Sequence, residues 1–335
     1  MTDRIRFGLV EAGGRSDFFL RIVRQMPKHF EVVCAQVRDP VKGKAYADWW
    51  QLPVVNALPE LLEREEPEFV LVSVSQPAAA EVIASVASTG MPVLTETPPG
   101  QTVAELERLT ALTRNGAHIQ VAELYPFQPL HAARLTLAHD GRRDDITQAQ
   151  VSAAHRYHGD SLMRLMLGVD FEGAMIHAFG VESRLLASHR RTGRLVAGKL
   201  EDSHQILALF EFDSVQSGLF DFTWDQYWSW ARAPRVLIRG TRGEIVRDRI
   251  AWLRDSQTPM SLPLERVDGG RLGFLEDIAT TGFRSAKSGC IAIRRYRRGC
   301  PTTKSPRWTV CCAWVRTCVQ AVASTTSRRV RRTST

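Results

Sequence analysis

The sequence predicts an α/β fold: a doubly wound parallel sheet first, then an α+β domain with a mostly antiparallel sheet. Three observations predict it. Short apolar runs alternate with helical patterns over residues 1–124, the grammar of βαβ units. After Pro126 the strand-like segments follow one another through short turns, as in Gly240-Thr-Arg-Gly243, the grammar of hairpins. A length of 335 residues suits about two domains with ample core.

Ile5 to Val10 is a short apolar run fit for a buried parallel strand. It turns through Gly13-Gly14 into a helix expected to open at Ser16 or Asp17, both good N-cap residues, with Phe18, Phe19, Ile22 and Val23 on its apolar face. Further strands are expected at Phe30–Val37, Pro53–Asn56, Glu68–Val74, Pro92–Glu96 and Ala117–Glu123. Helices are expected between them at Val41–Trp50, Leu58–Glu65, Ala78–Thr89 and Val103–Asn115, the last two closed by Gly90 and Gly116. In the second domain, 125–283, helices are expected at Leu130–Ala138 and Ser161–Leu167. Strands are expected there at Ile146–His155, His204–Asp213, Ser217–Thr223, Arg235–Arg239 and Glu244–Arg247.

The turn at Gly13 carries the first chemical hint. A strand, a glycine turn and a helix N-terminus together favour a pyrophosphate, through free N–H groups and the helix dipole. The glycine fingerprint is incomplete, because Glu11-Ala-Gly-Gly-Arg-Ser16 keeps only its middle glycine. The carboxylate of Glu11 repels phosphate unless turned away, and Arg15 is placed to offset it. An ordinary strand-to-helix turn is the competing reading.

The net charge of +8 is unevenly spread. Thirteen of the 44 basic residues lie from Arg284 onward, where no acid occurs; the remaining 31 face 36 acids, a net of −5. Cys290, Cys300, Cys311, Cys312 and Cys318 lie in the same tail, with no C-x-x-C pair and no histidine. That pattern suits neither a zinc site nor a nucleic-acid arm. Residues 284–335 read instead as a basic tail translated in a shifted frame, with disorder as the physical consequence; a true binding arm is the other reading. There is no run of about 18 apolar residues for a membrane span, and the first strand starts without a signal-peptide core, so the cytoplasm is the expected compartment.

Ligands of open α/β sheets bind beyond the carboxyl ends of the strands. That rule selects Gly13, Gly14, Arg15 and Ser16; Arg38 after the second strand; the Ser73–Pro77 stretch with Ser75 and Gln76; and Thr95-Glu96-Thr97-Pro98-Pro99. Val37 stands where a ribose-binding acid belongs, while Arg38 can take a 2′-phosphate, which tilts the expectation between NAD and NADP toward NADP. A solvated arginine beside a turn is the alternative.

This strand order, with Thr-Glu-Thr-Pro-Pro at 95–99 and the later Val236-Leu-Ile-Arg-Gly-Thr-Arg-Gly-Glu-Ile, resembles the Gfo/Idh/MocA oxidoreductases over about residues 4–283. The resemblance implies a Rossmann domain, a C-terminal domain whose large open sheet carries the substrate site and often the oligomer interface, and bound NAD or NADP. It implies a sugar, polyol or related hydroxyl substrate and a homo-oligomer. From the sequence itself no nucleic-acid, membrane or metal partner is expected. The family's Glu-Lys-Pro motif falls on Glu96-Thr97-Pro98, so Thr97 replaces an active-site lysine. The family's Asp-x-x-x-His motif is best matched by His158, with Ala154 at the aspartate position.

Oxidation of a carbinol needs a base with a pKa near working pH, which suits His158. Tyr157, His155 and Asp160 are near enough in sequence to orient it, and Glu123 and Tyr125 follow the last strand of the first domain. A histidine capping the following helix is the structural competitor. Trp224, Tyr227, Trp228 and Trp230 read as core or interface rather than as a sugar platform. A catalytically weak nucleotide-binding protein is the alternative that Glu11 and Thr97 motivate.

Overall fold

In the computed structural model the described residues are 4–64, 67–140, 145–187, 189–190, 193–194, 198–229, 231–269, 279–284 and 290–292. The described residues up to Leu124 form one compact unit and Tyr125–Asp268 a second. Trp230 and most of the basic tail lie outside the described residues.

The first unit is a six-stranded parallel sheet in the order β3-β2-β1-β4-β5-β6. Its strands are β1 (Ile5–Val10), β2 (Phe30–Gln36), β3 (Val54–Val55), β4 (Phe69–Val72), β5 (Val93–Thr95) and β6 (Ile119–Val121). The helices between them are α1 (Gly14–Gln25), α2 (Pro40–Trp50), α3 (Leu58–Glu63), α4 (Gln76–Ser88) and α5 (Val103–Arg114). This is the Rossmann strand order, with its crevice where β1 and β4 diverge. Every residue of β4 is buried, as a strand covered by helices on both faces requires. Helix α5 is held by a full capping box between Thr102 and Glu105.

Helix α1 opens earlier than expected. Gly13 is its N-cap and offers no side chain. Ser16 is not the cap: it lies buried in the first turn, and its hydroxyl donates back to the Glu11 carbonyl (2.5 Å).

The second unit begins with a 3-10 turn (Tyr125–Phe127), α6 (Pro129–Ala138), β7 (Ile146–Ser152) and α7 (Arg156–Leu167). The strands that follow are β8 (Ala174–Leu186), β9 (His189–Arg190), β10 (Gly193–Arg194), β11 (Leu200–Phe212), β12 (Ser217–Thr223), β13 (Arg235–Gly240), β14 (Gly243–Val246), β15 (Arg249–Asp255) and β16 (Thr258–Pro263). An eight-stranded open sheet runs β16-β15-β14-β13-β7-β12-β11-β8. Only β7 and β12 pair in parallel there, and all its other neighbours are antiparallel. Helices α6 and α7 bury Leu137, Leu162, Met163 and Met166 against Ile146, Ala149, Val151 and Ile238 of the sheet. Strands β17 (Glu265–Gly269), β18 (Ala279–Arg284) and β19 (Cys290–Ala292) form a small separate sheet. Cys290–Ala292, past the composition break, is therefore strand, paired to Gly282–Arg284.

Strands β8, β15 and β16 and the first turn of α7 were not expected from sequence. β8 is an edge strand whose residues, apart from Ala174 and Leu185, are exposed, so no burial imposes an alternating pattern on it. Helix α7 starts at Arg156, with His155 as N-cap, which places Tyr157 and His158 in its first turn. Asp160 pairs with Arg164 one turn on (3.3 Å).

Helix α6 buries a charge beside a histidine. Arg134 donates to Nδ1 of His131 (3.1 Å) and to the Arg247 carbonyl (2.7 Å). Burial first, and the Arg134 charge second, hold His131 down to about 3 from 6.5. The unfolded chain then binds a proton at pH 5 that the native chain refuses. Stability is full above pH 6.5 and falls by about 1.4 kcal/mol per unit as pH drops from there toward 3. Urea unfolding at pH 7.5 and 5.5 should show that loss, and His131→Gln should remove this component of the slope.

Candidate functional site

At the carboxyl end of β1 the chain turns through Glu11, Ala12 and Gly13. Glu11 takes a left-handed backbone (φ 72), a conformation that favours glycine. Its N–H donates to the Gln36 carbonyl (2.9 Å), so it stands beside the end of β2. Its carboxylate accepts the Ala12 N–H (3.2 Å), Arg38 Nε (3.2 Å) and Lys42 Nζ (3.5 Å). Lys42 Nζ also donates to the Ala12 carbonyl (2.6 Å). The expectation that Arg15 offsets Glu11 is corrected: Arg38 and Lys42 do so, and Arg15 pairs with Glu96 across the β1–β5 side (2.7 Å). Lys42 carried no signal in the sequence beyond its charge on α2.

The turn itself is open. A Cβ added to Gly13 or Gly14 would meet nothing within 4 Å, and no side chain caps α1. The first N–H groups of a helix have no intrahelical acceptor and favour an anion. Glu96 lies just past β5, where its second oxygen accepts the Thr97 N–H (3.3 Å). Ser75 is the N-cap of α4, with no side-chain cap bond, and Gln76 accepts from Gln101 (3.4 Å). Gly13, Gly14, Arg15, Ser16, Arg38, Ser75, Gln76, Glu96 and Thr97 thus all sit at carboxyl ends of first-unit strands or the helix starts beyond them, the rim where cofactors bind.

Residues 5–123 match the oxidoreductase family with an NAD-binding Rossmann fold named Gfo/Idh/MocA. The chain carries the Rossmann domain of that family. Solved structures extend the likeness of fold. GenD2 from gentamicin A biosynthesis, in complex with NAD, is 17% identical with a TM-score of 0.60, over 96% of this chain and 87% of that one. Levoglucosan dehydrogenase, in complex with NADH and L-sorbose, is 14% identical with a TM-score of 0.65, over 96% and 90%. An oxidoreductase from Sinorhizobium meliloti is 16% identical with a TM-score of 0.65, over 98% and 90%. No curated protein matches the chain. That family is one of oxidoreductases with an NAD-binding Rossmann fold, which supports nicotinamide-dependent oxidoreduction. Among the described residues no helix is long and apolar enough to cross a membrane.

The second unit gathers a cluster of rings. Tyr227 Oη lies 2.7 Å from His155 Nδ1, accepts the His155 backbone N–H (3.0 Å) and accepts from Tyr125 Oη (2.9 Å). His158 lies against Tyr157 (4.4 Å), His155 (4.9 Å) and Tyr125 (5.0 Å), measured between ring centroids. Trp224, half exposed, sets its edge on His155 at 4.7 Å. His158 and Tyr157 are therefore together, and Thr97 belongs to the other unit. The tyrosine partner of His155 comes from the aromatic stretch that sequence reasoning gave to core or interface. Its one signal was a tyrosine among tryptophans at a strand end.

Proposed function

We propose that the protein is an NAD(P)-dependent oxidoreductase that moves a hydride between a nicotinamide cofactor and a sugar, polyol or related hydroxyl substrate. The observation that carries this reading is the uncapped, unobstructed turn at Gly13 and Gly14, set at β1 of the 3-2-1-4-5-6 sheet. A bound nicotinamide would supply the hydride acceptor for oxidation of the carbinol. Gly13, Gly14 and the start of α1 hold the pyrophosphate, and Ser75, Gln76 and Glu96 line the remaining rim. His158 takes the hydroxyl proton, with the Tyr157 ring tilted against it at 4.4 Å between centroids. His155, Tyr227 and Tyr125 form a hydrogen-bonded line beside that base which can share the incoming charge. Thr97 stands in place of the family lysine and offers a neutral hydroxyl just past β5, so the proton transfer is assigned to His158.

The assembly proposed is a homo-oligomer through the open sheet face. Met175 is 63% and Phe179 62% exposed on β8, on the side of the sheet away from α7; exposed apolar faces of this kind mark interfaces. Light scattering of the purified protein reads this directly, and a monomer at all concentrations overturns it.

Titrating the folded protein with NADH and NADPH, followed by nucleotide fluorescence, tests the dinucleotide reading. A Kd of about micromolar order for either is expected; no binding of either overturns it. Glu11 and Thr97 favour a second reading, a nucleotide-binding protein of weak activity. It predicts binding without turnover across a sugar and polyol screen.

A further inference from the structure

We propose that Glu11 selects the dinucleotide, favouring a free ribose 2′-hydroxyl and disfavouring a 2′-phosphate. The inference rests on the dinucleotide reading above and adds the residue that makes the choice. In this fold the adenosine ribose lies over the end of β2, where an acid bonds its hydroxyls or an arginine receives a 2′-phosphate. The position expected to hold that acid is Val37, which is fully buried and has no polar group. Glu11 fills the role from the neighbouring strand. Its backbone is hydrogen-bonded to Gln36 at the end of β2, and its carboxylate reaches the two cations that flank that end, Arg38 and Lys42.

The same contacts remove the positive site that Arg38 suggests when read alone. Arg38 and Lys42 are the basic groups drawn together there, and both are paired with one carboxylate that is only 14% exposed. A 2′-phosphate entering this corner would have to displace the carboxylate from both cations and then lie against it as a like charge. A ribose diol instead donates to the carboxylate and leaves the cations in place. Glu11 also holds a left-handed backbone (φ 72) that a glycine would adopt without strain. Here that conformation is kept together with a side chain on which three donors converge.

The test compares NADH and NADPH binding to the wild-type protein and to Glu11→Gln, each shown folded by circular dichroism. The wild type should bind NADH about ten-fold or more tighter than NADPH. Glu11→Gln keeps the side-chain length and removes the charge. It should shift the ratio by about ten-fold toward NADPH, through tighter NADPH binding. Adding Arg38→Ala to Glu11→Gln should cancel that gain, which identifies the freed cation as its source. A wild type that prefers NADPH, or a ratio unchanged in Glu11→Gln, overturns the role of Glu11 and leaves the oxidoreductase reading intact. Failure of the wild type to bind either nucleotide overturns both.

Discussion

Gly159→Ala is expected to destabilise the protein by about 3 kcal/mol, at the upper end of what one added methyl costs in a packed site. The new Cβ would stand 2.8 Å from the backbone carbonyl of Ala154 and closer still to the Phe220 ring. The ring can turn, but the carbonyl belongs to the chain leading into α7 and cannot move alone. Relief requires α7 to lift from β12. That motion would carry His155 and His158 with it, because they are the N-cap and first-turn residues of the same helix. Gly180→Ala is the matched control, since its Cβ would meet nothing within 4 Å. Urea midpoints of the two variants should separate clearly. Equal midpoints would show that α7 does not need this close approach.

Tyr227→Phe is expected to lower turnover by about 100-fold, the low end of what a positioned proton-transfer group contributes. The lost hydroxyl serves His155 Nδ1, the His155 N–H and Tyr125 Oη at once. Its removal takes a hydrogen-bond partner from the His155 ring and leaves a half-buried N–H without that acceptor, at a stability cost of about 1–3 kcal/mol. The loss should fall on kcat rather than on KM, and the pH–rate profile should shift, because the proposed base, His158, sits beside the altered histidine. A purely structural tyrosine would lower the urea midpoint and leave the profile where it was.

The first unit was legible because its physics is local. Phe69 to Val72 is apolar throughout since both faces of β4 are covered, and α5 carries its own start signal in the Thr102–Glu105 capping box. The second unit was legible only in part. Gly159, Arg156 and Asp160 together imitate a loop, and the reason for the glycine, its approach to Phe220, lies in a strand far along the chain. β8 was hidden because an exposed edge places no burial constraint on its residues. At the candidate site, local turns were readable and side-chain partners were not. The turn at Gly13 followed from residue types, whereas Arg15 with Glu96, and Tyr227 with His155, are pairings made by the fold. Glu11 was read as a repulsive charge because the cations that answer it follow the next strand.

The position of β7 in the open sheet bears on how the chain is made. β7 is translated before all its partners, yet it ends between β12 on one side and β13 on the other. During synthesis both of its edges must wait while β8 and β11 emerge and pair with each other. Closing such long loops is slow relative to local hairpins. The nearest protection is local in sequence: α6 comes just before β7 and α7 just after, and both pack onto Ile146, Ala149 and Val151. An early α6-β7-α7 unit would keep one face of the waiting strand dry until β12 arrives from the ribosome.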